Sequence, residues 1–248
     1  RDSELVVAID GPDEPTLEAV QRVQDPRLDI RARAENIGLA RQLQYLTDST
    51  DSALVARMDS DDVSFPWRFR ATVPALKTAD FVFSSAIRFG AIKPRPSYPA
   101  PLNSTEVNFT LLMVCPLFHP TMVTTRAALM DVGGYRAIRY AEDYELWLRA
   151  AATGKRLVKV AAPTIAYRLS PNQMSAAAGV FDPDRIAPDL WQNQAALAAR
   201  MNLPAWGPDA RLSLTAAQVE SLLARTRPIN RRYMRSQIGR HATVVSES

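Results

Sequence analysis

The chain has 248 residues, of which 47% are hydrophobic and 23% are charged, proportions typical of a globular protein with a full core. No apolar run approaches the ~20 residues that a membrane-spanning helix needs, and no signal peptide is visible. Cys115 is the only cysteine, which excludes an internal disulfide and favours a reducing compartment, so we predict a cytoplasmic protein. Because its neighbours are apolar, Cys115 is expected to be a small core residue rather than a nucleophile.

The net charge of +4 comes from the C-terminal end of the chain. Six arginines and no acidic residue lie between Arg225 and His241, and without those six the chain has 24 basic against 26 acidic residues. A chain with no basic face elsewhere is not expected to bind nucleic acid. The segment Arg225–Arg240 fits a solvated helix face, a contact with a partner, or a peripheral contact with anionic lipid at the inner face of a membrane.

Short branched apolar runs alternate with helical patterns through the first two thirds of the chain. The predicted strands are 4–9, 28–33, 53–58, 79–84, 121–125, 157–160 and 164–167. The predicted helices are 15–24, one that begins at 39, 107–117, 126–132 and 141–152. This alternation predicts an α/β fold with a mixed, mostly parallel sheet that is covered by helices on both faces.

Beyond about residue 184 the pattern is helical only, with helices predicted at 184–201 and 215–225, the second capped by Ser213 or Thr215. We therefore divide the chain into an α/β domain at 1–178 and a helical extension with a basic tail at 179–248. Four prolines between 90 and 104 indicate an irregular surface excursion, and residues 170–172 indicate a turn. Because a strand begins so close to Arg1, we expect an upstream strand–helix unit of roughly 25–30 residues to be missing from the numbering.

Three carboxylates follow the predicted strand at 53–58, which is expected to be buried and parallel. In α/β sheets, ligands bind at the carboxyl ends of the strands. Asp59 and Asp61 could both reach one divalent ion on the turn after the strand, and Asp62 adds a further negative charge that needs compensation. Asp10 ends the first strand at the same edge, where it could contact a base or ribose or simply cap the turn before Pro12.

A second acidic pair, Glu142 and Asp143, opens a predicted helix. It fits either plain helix capping or a general base that acts on a hydroxyl group. The residues 133–135 (Gly-Gly-Tyr) suggest close approach of a ligand, and Trp147 suggests an aromatic wall beside the carboxylates. His119 precedes a proline in an apolar setting, which is more typical of a core or loop residue than of a ligand.

Several spaced motifs agree in order with one family. The chain resembles family-two glycosyltransferases of GT-A fold, a Rossmann-like fold, over about residues 4–175. The motifs are IDGPDEPT, AENIGLARQL, LVARMDSDDVSFPWRF, PLFHPTMVTTRAAL, GGYR, AEDYELWLRAA and YRLSPNQMS. The resemblance implies a metal-dependent, inverting transfer of a sugar from a nucleotide-sugar donor to a hydroxyl group.

On the donor side, the resemblance implies that Asp59 and Asp61 are the DxD pair. Asp59 would contact the ribose, and Asp61 would bind a Mn²⁺ or Mg²⁺ ion that bridges the diphosphate. Asp10 would contact the nucleoside, and Arg41 and Arg57 match basic positions near the donor. A UDP-sugar is the favoured donor.

On the acceptor side, the resemblance implies that Asp143 is the general base and that Glu142 supports the acceptor. His119 matches a motif position without an assigned role. The acceptor is expected to be a glycan or a lipid-linked sugar, as in the synthesis of bacterial surface polysaccharides. The family's opening strand, which packs against the base, is expected to belong to the missing upstream unit, and Ile9–Pro12 departs from the family pattern of two aspartates followed by Gly-Ser. The identity of the nucleotide therefore stays open.

Two other functions fit parts of the sequence. Residues 59–63 also match the DxDx(T/V) pattern of haloacid-dehalogenase-type phosphatases, with Asp59 as the nucleophile, although no later lysine and paired-aspartate loop is convincing. A non-catalytic module that binds a sugar nucleotide or a partner is the other alternative.

Overall fold

The computed structural model describes residues 3–98, 100–170, 188–205 and 212–245. Within these ranges the strands are β1 (Leu5–Ile9), β2 (Leu28–Ala32), β3 (Leu54–Ala56), β4 (Val63–Ser64), β5 (Phe81–Gly90), β6 (Arg95–Pro96), β7 (Val123–Thr125), β8 (Leu157–Leu169), β9 (Leu212–Thr215) and β10 (Ala242–Val245). The α-helices are α1 (Glu14–Gln21), α2 (Leu39–Asp48), α3 (Arg68–Thr72), α4 (Ser104–Leu111), α5 (Arg126–Asp131), α6 (Glu142–Ala152), α7 (Pro188–Arg200), α8 (Ala216–Arg225) and α9 (Pro228–His241). Short 3₁₀ helices cover Val73–Lys77 and His119–Thr121.

The central sheet has six strands in the order β3-β7-β5-β8-β4, with β6 paired to β5. Strands β5 and β8 pair in parallel, whereas the other pairings in this sheet are antiparallel. Strands β1 and β2 form a separate parallel pair. The predicted mixed α/β fold is confirmed: β5–β8 and β1–β2 are parallel pairs, and the short strands β3, β4, β6 and β7 add to the central sheet in antiparallel orientation.

The strand that carries the aspartates is not the buried parallel strand that the sequence suggested. Strand β3 has only three residues, lies at the edge of the sheet and pairs antiparallel with β7. The Leu54 side chain is 41% exposed. An apolar run this short cannot distinguish an edge strand from a central one.

The core is built around α6 and the long β5–β8 pair. Trp147 of α6 is fully buried and packs edge-on against Phe81 and Phe83, with ring centroids 5.9 and 4.7 Å apart. The two strands predicted at 157–160 and 164–167 are one strand, β8, because a register shift opposite Ser84–Ser85 absorbs the interruption. The predicted helices at 15–24, 126–132 and 141–152 are confirmed within three residues at each end.

The C-terminal segment shares this core, since Leu197, Leu222 and Ile238 belong to the same apolar cluster. The buried Glu106 of α4 anchors the segment, because its carboxylate accepts several hydrogen bonds from Arg227, the shortest of 2.6 Å. The helical-only pattern is wrong here, since β9 and β10 form a parallel pair.

Thr215, one of the two predicted caps, caps α8 in a capping box with Gln218. The predicted boundary at 178/179, most of the turn at 170–172 and the predicted helix start at 184 lie outside the described residues. In the part of the chain that the structure describes, no helix is both long enough and apolar enough to cross a membrane.

Candidate active site

Both predicted acidic groups open into one cleft of about 420 Å³. Asp59 and Asp61 line it from the turn after β3, and Glu142 and Asp143 line it from the start of α6. These segments are some 80 residues apart in sequence, and β3 reaches the core through its pairing with β7. The arrangement places a candidate donor-binding pair and a candidate base at the same cavity.

A buried arginine holds the end of β3 in place. Arg68 of α3 is only 2% exposed, and its Nη2 donates to the backbone carbonyls of Arg57 at 2.6 Å and of Met122 at 3.3 Å. Burial lowers the pKa of Arg68 to about 10, which leaves the group charged at neutral pH. This positioning role was not predicted; its only signal in the sequence is an arginine six residues after Asp62, in the segment 67–70 (WRFR).

Arg168 of β8 fixes the acidic turn from the other side. Its backbone amide donates to Asp62 Oδ1 at 2.8 Å, and its Nε donates to the backbone carbonyl of Asp61 at 2.8 Å. Asp62 is thereby drawn towards β8 and does not line the cleft. Burial raises the pKa of Asp62 to about 6. The turn therefore presents Asp59 and Asp61, and not Asp62, to the cavity.

Arg57 places a positive charge among the carboxylates of the cleft. Its guanidinium is ion-paired with Asp59, and its side chain is 10% exposed. Burial raises the pKa of Asp59, and the charge of Arg57 opposes that rise. The Nε atom of Arg57 has no hydrogen-bond partner among the described residues, although it is buried. Arg57 thus lines the cleft, and its predicted contact with the donor stays a prediction.

Glu142 and Asp143 form the first turn of α6. The preceding residue, Ala141, has φ of 58°, a left-handed conformation that is uncommon for a residue with a Cβ atom. Asp143 Oδ1 accepts a hydrogen bond of 2.7 Å from the backbone amide of Tyr144. Burial raises the pKa of both carboxyl groups, and the charge of Asp143 raises the pKa of Glu142 further. The two groups titrate as a pair at a higher pH than ordinary carboxylates.

A buried histidine and tyrosine lie beside Glu142. His119 Nε2 is 2.8 Å from the hydroxyl of Tyr135, and His119 Nδ1 is 4.0 Å from Glu142 Oε1. Burial lowers the pKa of His119 well below its ordinary value, so the ring is neutral. His119 lines the cleft and also packs in the core, where its ring centroid is 5.6 Å from that of Trp147.

Two features that the sequence suggests for the acceptor site are structural instead. Trp147 is fully buried and cannot form a wall of the cleft. Gly134, with φ of 63°, packs against the side chain of Gln44 in α2, whose Oε1 accepts a 2.6 Å hydrogen bond from the amide of Tyr135. The close approach that the glycines allow is therefore between a loop and a helix, not between the chain and a ligand.

Asp10 and Arg41 lie outside the residues that line the cleft. The two carboxylate oxygens of Asp10 accept hydrogen bonds of 2.9 Å from the backbone amides of Ile37 and Gly38, at the start of α2. Arg41 is exposed on the same helix. The contacts of Asp10 are those of a loop-capping residue, and the donor contacts predicted for Asp10 and Arg41 stay predictions.

Cys115 is partly buried and packs against the core, as the sequence predicts, and it also borders the cleft. Its Sγ is 3.6 Å from the backbone carbonyl of Leu117, and burial raises the pKa of the thiol. A thiol with a raised pKa forms little nucleophilic thiolate at neutral pH. Further residues that line the cleft include Leu39, Arg139, Tyr140 and Tyr167, for which the sequence carries no clear signal.

The fold resembles that of a solved glycosyltransferase. The structure of S. aureus TarS 1-349 in complex with UDP-GlcNAc superposes with a TM-score of 0.60 at 16% identity, over 93% of this chain and 64% of that one. At this identity the likeness establishes the fold alone, which is the GT-A fold of glycosyltransferases.

Sequence comparison defines the family. The family model described as glycosyl transferase family 2 matches residues 1–141, more than half of the chain. The chain is 30% identical over 156 residues to the amylovoran biosynthesis glycosyltransferase AmsE of Erwinia amylovora, covering 61% of this chain and 59% of that protein. It is also 30% identical over 131 residues to the UDP-Gal:alpha-D-GlcNAc-diphosphoundecaprenol beta-1,3-galactosyltransferase of Escherichia coli, covering 48% of this chain and 45% of that one. The chain belongs to glycosyl transferase family 2.

Proposed function

We propose that this chain transfers a sugar, with inversion, from a nucleotide-sugar to a hydroxyl group of a glycan or lipid-linked acceptor during surface-polysaccharide synthesis. The observation that carries the proposal is the shared cleft of Asp59, Asp61, Glu142 and Asp143. The names of the relatives support it, since one is called an amylovoran biosynthesis enzyme and another a galactosyltransferase that uses a diphosphoundecaprenol acceptor. The chain spans 59% of the length of AmsE, so the substrates of this protein are part of the proposal.

Asp143 is the proposed general base. Its carboxylate takes the proton of the acceptor hydroxyl while that oxygen bonds to the anomeric carbon of the donor. The bond from that carbon to the diphosphate breaks on the opposite face of the sugar, which inverts the configuration. Because burial raises its pKa, the Asp143 carboxylate is a stronger base than an exposed aspartate would be. Glu142, beside it, would position the acceptor by hydrogen bonding.

The donor side of the cleft fits a divalent ion that is held jointly with a ligand. Among the described residues, no group of three or more His, Cys, Asp or Glu could hold a metal ion by itself. Mg²⁺ in proteins is commonly bound by one or two carboxylates together with substrate phosphates and water. Asp61 fits this role, since its exposed carboxylate lines the cleft and accepts no hydrogen bond that the structure describes. Asp59 is the proposed second ligand or ribose contact.

A Mn²⁺ or Mg²⁺ ion bound there would neutralise negative charge on the diphosphate leaving group. Arg57 supplies a further, permanent positive charge in the same cleft. Its buried Nε lacks a hydrogen-bond partner among the described residues, and a phosphate oxygen would satisfy it. We therefore assign Arg57 to the diphosphate of the donor.

The test is a panel of UDP-, GDP- and dTDP-sugars with Mn²⁺, read first as a rise in melting temperature and then as release of the nucleoside diphosphate. We expect a UDP-sugar to give the largest shift, because a ligand that binds only the folded state raises its stability. Phosphate release from a simple monoester without any nucleotide-sugar would instead indicate the phosphatase. If no sugar nucleotide binds, the remaining alternative is a non-catalytic module that binds a partner.

We also propose that α9 contacts an anionic membrane surface. Its exposed face carries four arginines together with Ile229, whose side chain is 66% exposed. Those arginines are Arg231, Arg232, Arg235 and Arg240. Basic residues at a membrane surface contribute about 1 kcal/mol each, so removing two should weaken binding by about tenfold or more.

Co-sedimentation with phosphatidylglycerol and phosphatidylcholine vesicles tests this contact. The double variant Arg232→Ser with Arg235→Ser should lose binding to the anionic vesicles. The control pair Arg22→Ser with Arg70→Ser removes the same charge from exposed sites elsewhere and should bind like wild type. Equal binding by both double variants would refute the contact.

A further inference from the structure

A second cavity, of about 220 Å³, lies against the active-site cleft. The two share Cys115, Leu117 and Phe118, so this segment after α4 separates them and borders both. Typical small-molecule sites have volumes of about 300–1,000 Å³, so this cavity has room for one chemical group or sugar unit rather than for a whole substrate. Cys115 lines both cavities and is close enough to Asp143 for that carboxylate to raise the pKa of its thiol, so the second cavity borders the part of the cleft near the proposed base.

Two basic side chains, Arg88 and Lys159, line the second cavity. None of the described residues that line it is acidic. Lys159 is 2% exposed, and its Nζ donates to the backbone carbonyls of Tyr98 at 2.5 Å and of Ala100 at 3.0 Å. Arg88 is partly buried, and its buried Nε has no hydrogen-bond partner among the described residues. Buried cationic groups that lack an opposite charge are costly, and a bound anion would compensate Lys159 and the buried edge of Arg88.

Aromatic rings complete the cavity. Tyr98 and Tyr233 are stacked, with ring centroids 4.0 Å apart and planes inclined by 14°. The hydroxyl of Tyr98 donates a 2.8 Å hydrogen bond to Asn230 Oδ1, which ties the pair to α9. Lys159 Nζ is also 5.3 Å from the centroid of the Tyr98 ring. The C-terminal segment, which lies beyond the residues of the family model, thus supplies one wall of the cavity.

We propose that this cavity binds an anionic group of the acceptor, either the carboxylate of an acidic sugar or a phosphate. The proposal rests on the proposed function, because it assigns the acceptor side of the same cleft. Arg88 and Lys159 would hold the anion, and the aromatic and apolar wall would pack against the carbon face of the attached unit. The acceptor would then be selected for carrying one negative charge close to the hydroxyl that reacts.

Binding of three probes tests the site: glucuronate, the neutral sugar glucose, and inorganic phosphate. Saturation-transfer NMR reports the two sugars, and phosphorus line broadening reports phosphate, with saturating UDP and the diamagnetic ion Mg²⁺ present to occupy the donor side. The variant Arg88→Gln is compared with Arg95→Gln. Arg95 is opposite Arg88 in the β5–β6 register, is exposed, and does not line the cavity. Both variants should keep the wild-type melting temperature.

We expect glucuronate or phosphate to bind the wild type and Arg95→Gln equally, and to bind Arg88→Gln at least fivefold more weakly. Glucose should bind more weakly than glucuronate and should not distinguish the two variants. Preference for glucuronate would identify a carboxylate as the anion, and preference for phosphate would identify a phosphate. Absence of anion binding, or equal loss in both variants, would overturn the proposal. The affinities of the wild type and of Arg88→Gln for UDP are measured separately. Failure of the wild type to bind UDP would count against the proposed function, whereas failure to bind the anions alone would count only against this cavity.

Discussion

The guanidinium of Arg57 forms an ion pair with the carboxylate of Asp59 inside the cleft that Asp143 also lines. The pair is largely buried, so its charges are weakly screened by solvent. The charge of Arg57 lowers the pKa of Glu142 and of Asp143, against the larger effect of burial. One arginine therefore favours the ionised state of the acidic groups that the proposed reaction uses at both ends of the cleft.

Replacing Arg57 with glutamine should impair the donor and acceptor sides together. We expect UDP-sugar affinity to fall by about tenfold or more, because hydrogen bonds to charged groups contribute about 1.5–3 kcal/mol. Loss of the positive charge should raise the pKa values of the cleft carboxyl groups. A base must be ionised to act, so the acid limb of the pH–rate profile should move to higher pH. Calorimetry and a pH profile of kcat measure these effects, and an unmoved acid limb would contradict them.

Replacing Asp61 with alanine should abolish the dependence of donor binding on Mn²⁺. The proposed joint site has two carboxylates, and removal of one leaves too few oxygen ligands for a hard divalent ion. Titration of UDP with and without Mn²⁺ measures the effect. Asp51→Ala removes an exposed carboxylate from the loop before β3 and is the control. Full retention of metal-dependent binding by Asp61→Ala would exclude Asp61 as a ligand.

Replacing Gly134 with alanine should destabilise the fold by about 1–3 kcal/mol, a cost typical of strained backbone positions. Its φ of 63° disfavours a Cβ atom, and that atom would collide with the side chain of Gln44. Urea unfolding measures the change. Gly239→Ala is the control, because Gly239 lies in α9 with nothing within 4 Å of an added Cβ, and it should be neutral or stabilising. Equal effects of the two substitutions would contradict the packing described for Gly134.

Lys159 should give the fold a pH dependence in the alkaline range. Burial lowers its pKa from 10.5 to about 8 in the folded state. Between these values the unfolded chain binds more protons than the folded one, so stability rises with pH across this window and is constant below it. The melting temperature of wild type minus that of Lys159→Gln should therefore increase from pH 8 to pH 10. A constant difference across this range would show that Lys159 titrates normally.

Local sequence signals predicted much of the fold and of the site. The two acidic groups were recognisable because each follows a strong local pattern, an apolar strand ending in aspartates and a helix opening with Glu142 and Asp143. Thr215 was recognisable as a cap from the capping preferences of threonine. These features depend on neighbours in sequence, and so one sequence is sufficient to find them.

What the sequence could not predict depends on partners distant in the chain. The edge position of β3 is set by its pairing with β7, and the burial of Trp147 is set by Phe81 and Phe83. The positioning role of Arg68 requires the carbonyl of Met122, 54 residues away. Likewise, Gly134 was read as an approach for a ligand because Gln44 could not be known to occupy that space.

The central claim is that Asp143 acts on a donor held at the Asp61 side of the same cleft, and Asp143→Asn tests it most directly. General-base catalysis typically contributes about 10²–10⁴-fold, so kcat should fall by that factor. Asparagine is nearly isosteric, so the Kd for the UDP-sugar with Mn²⁺ should stay at the wild-type value. Glu18→Gln, in which the exposed carboxylate of α1 is replaced, should leave both quantities unchanged. A wild-type kcat in Asp143→Asn would contradict the account.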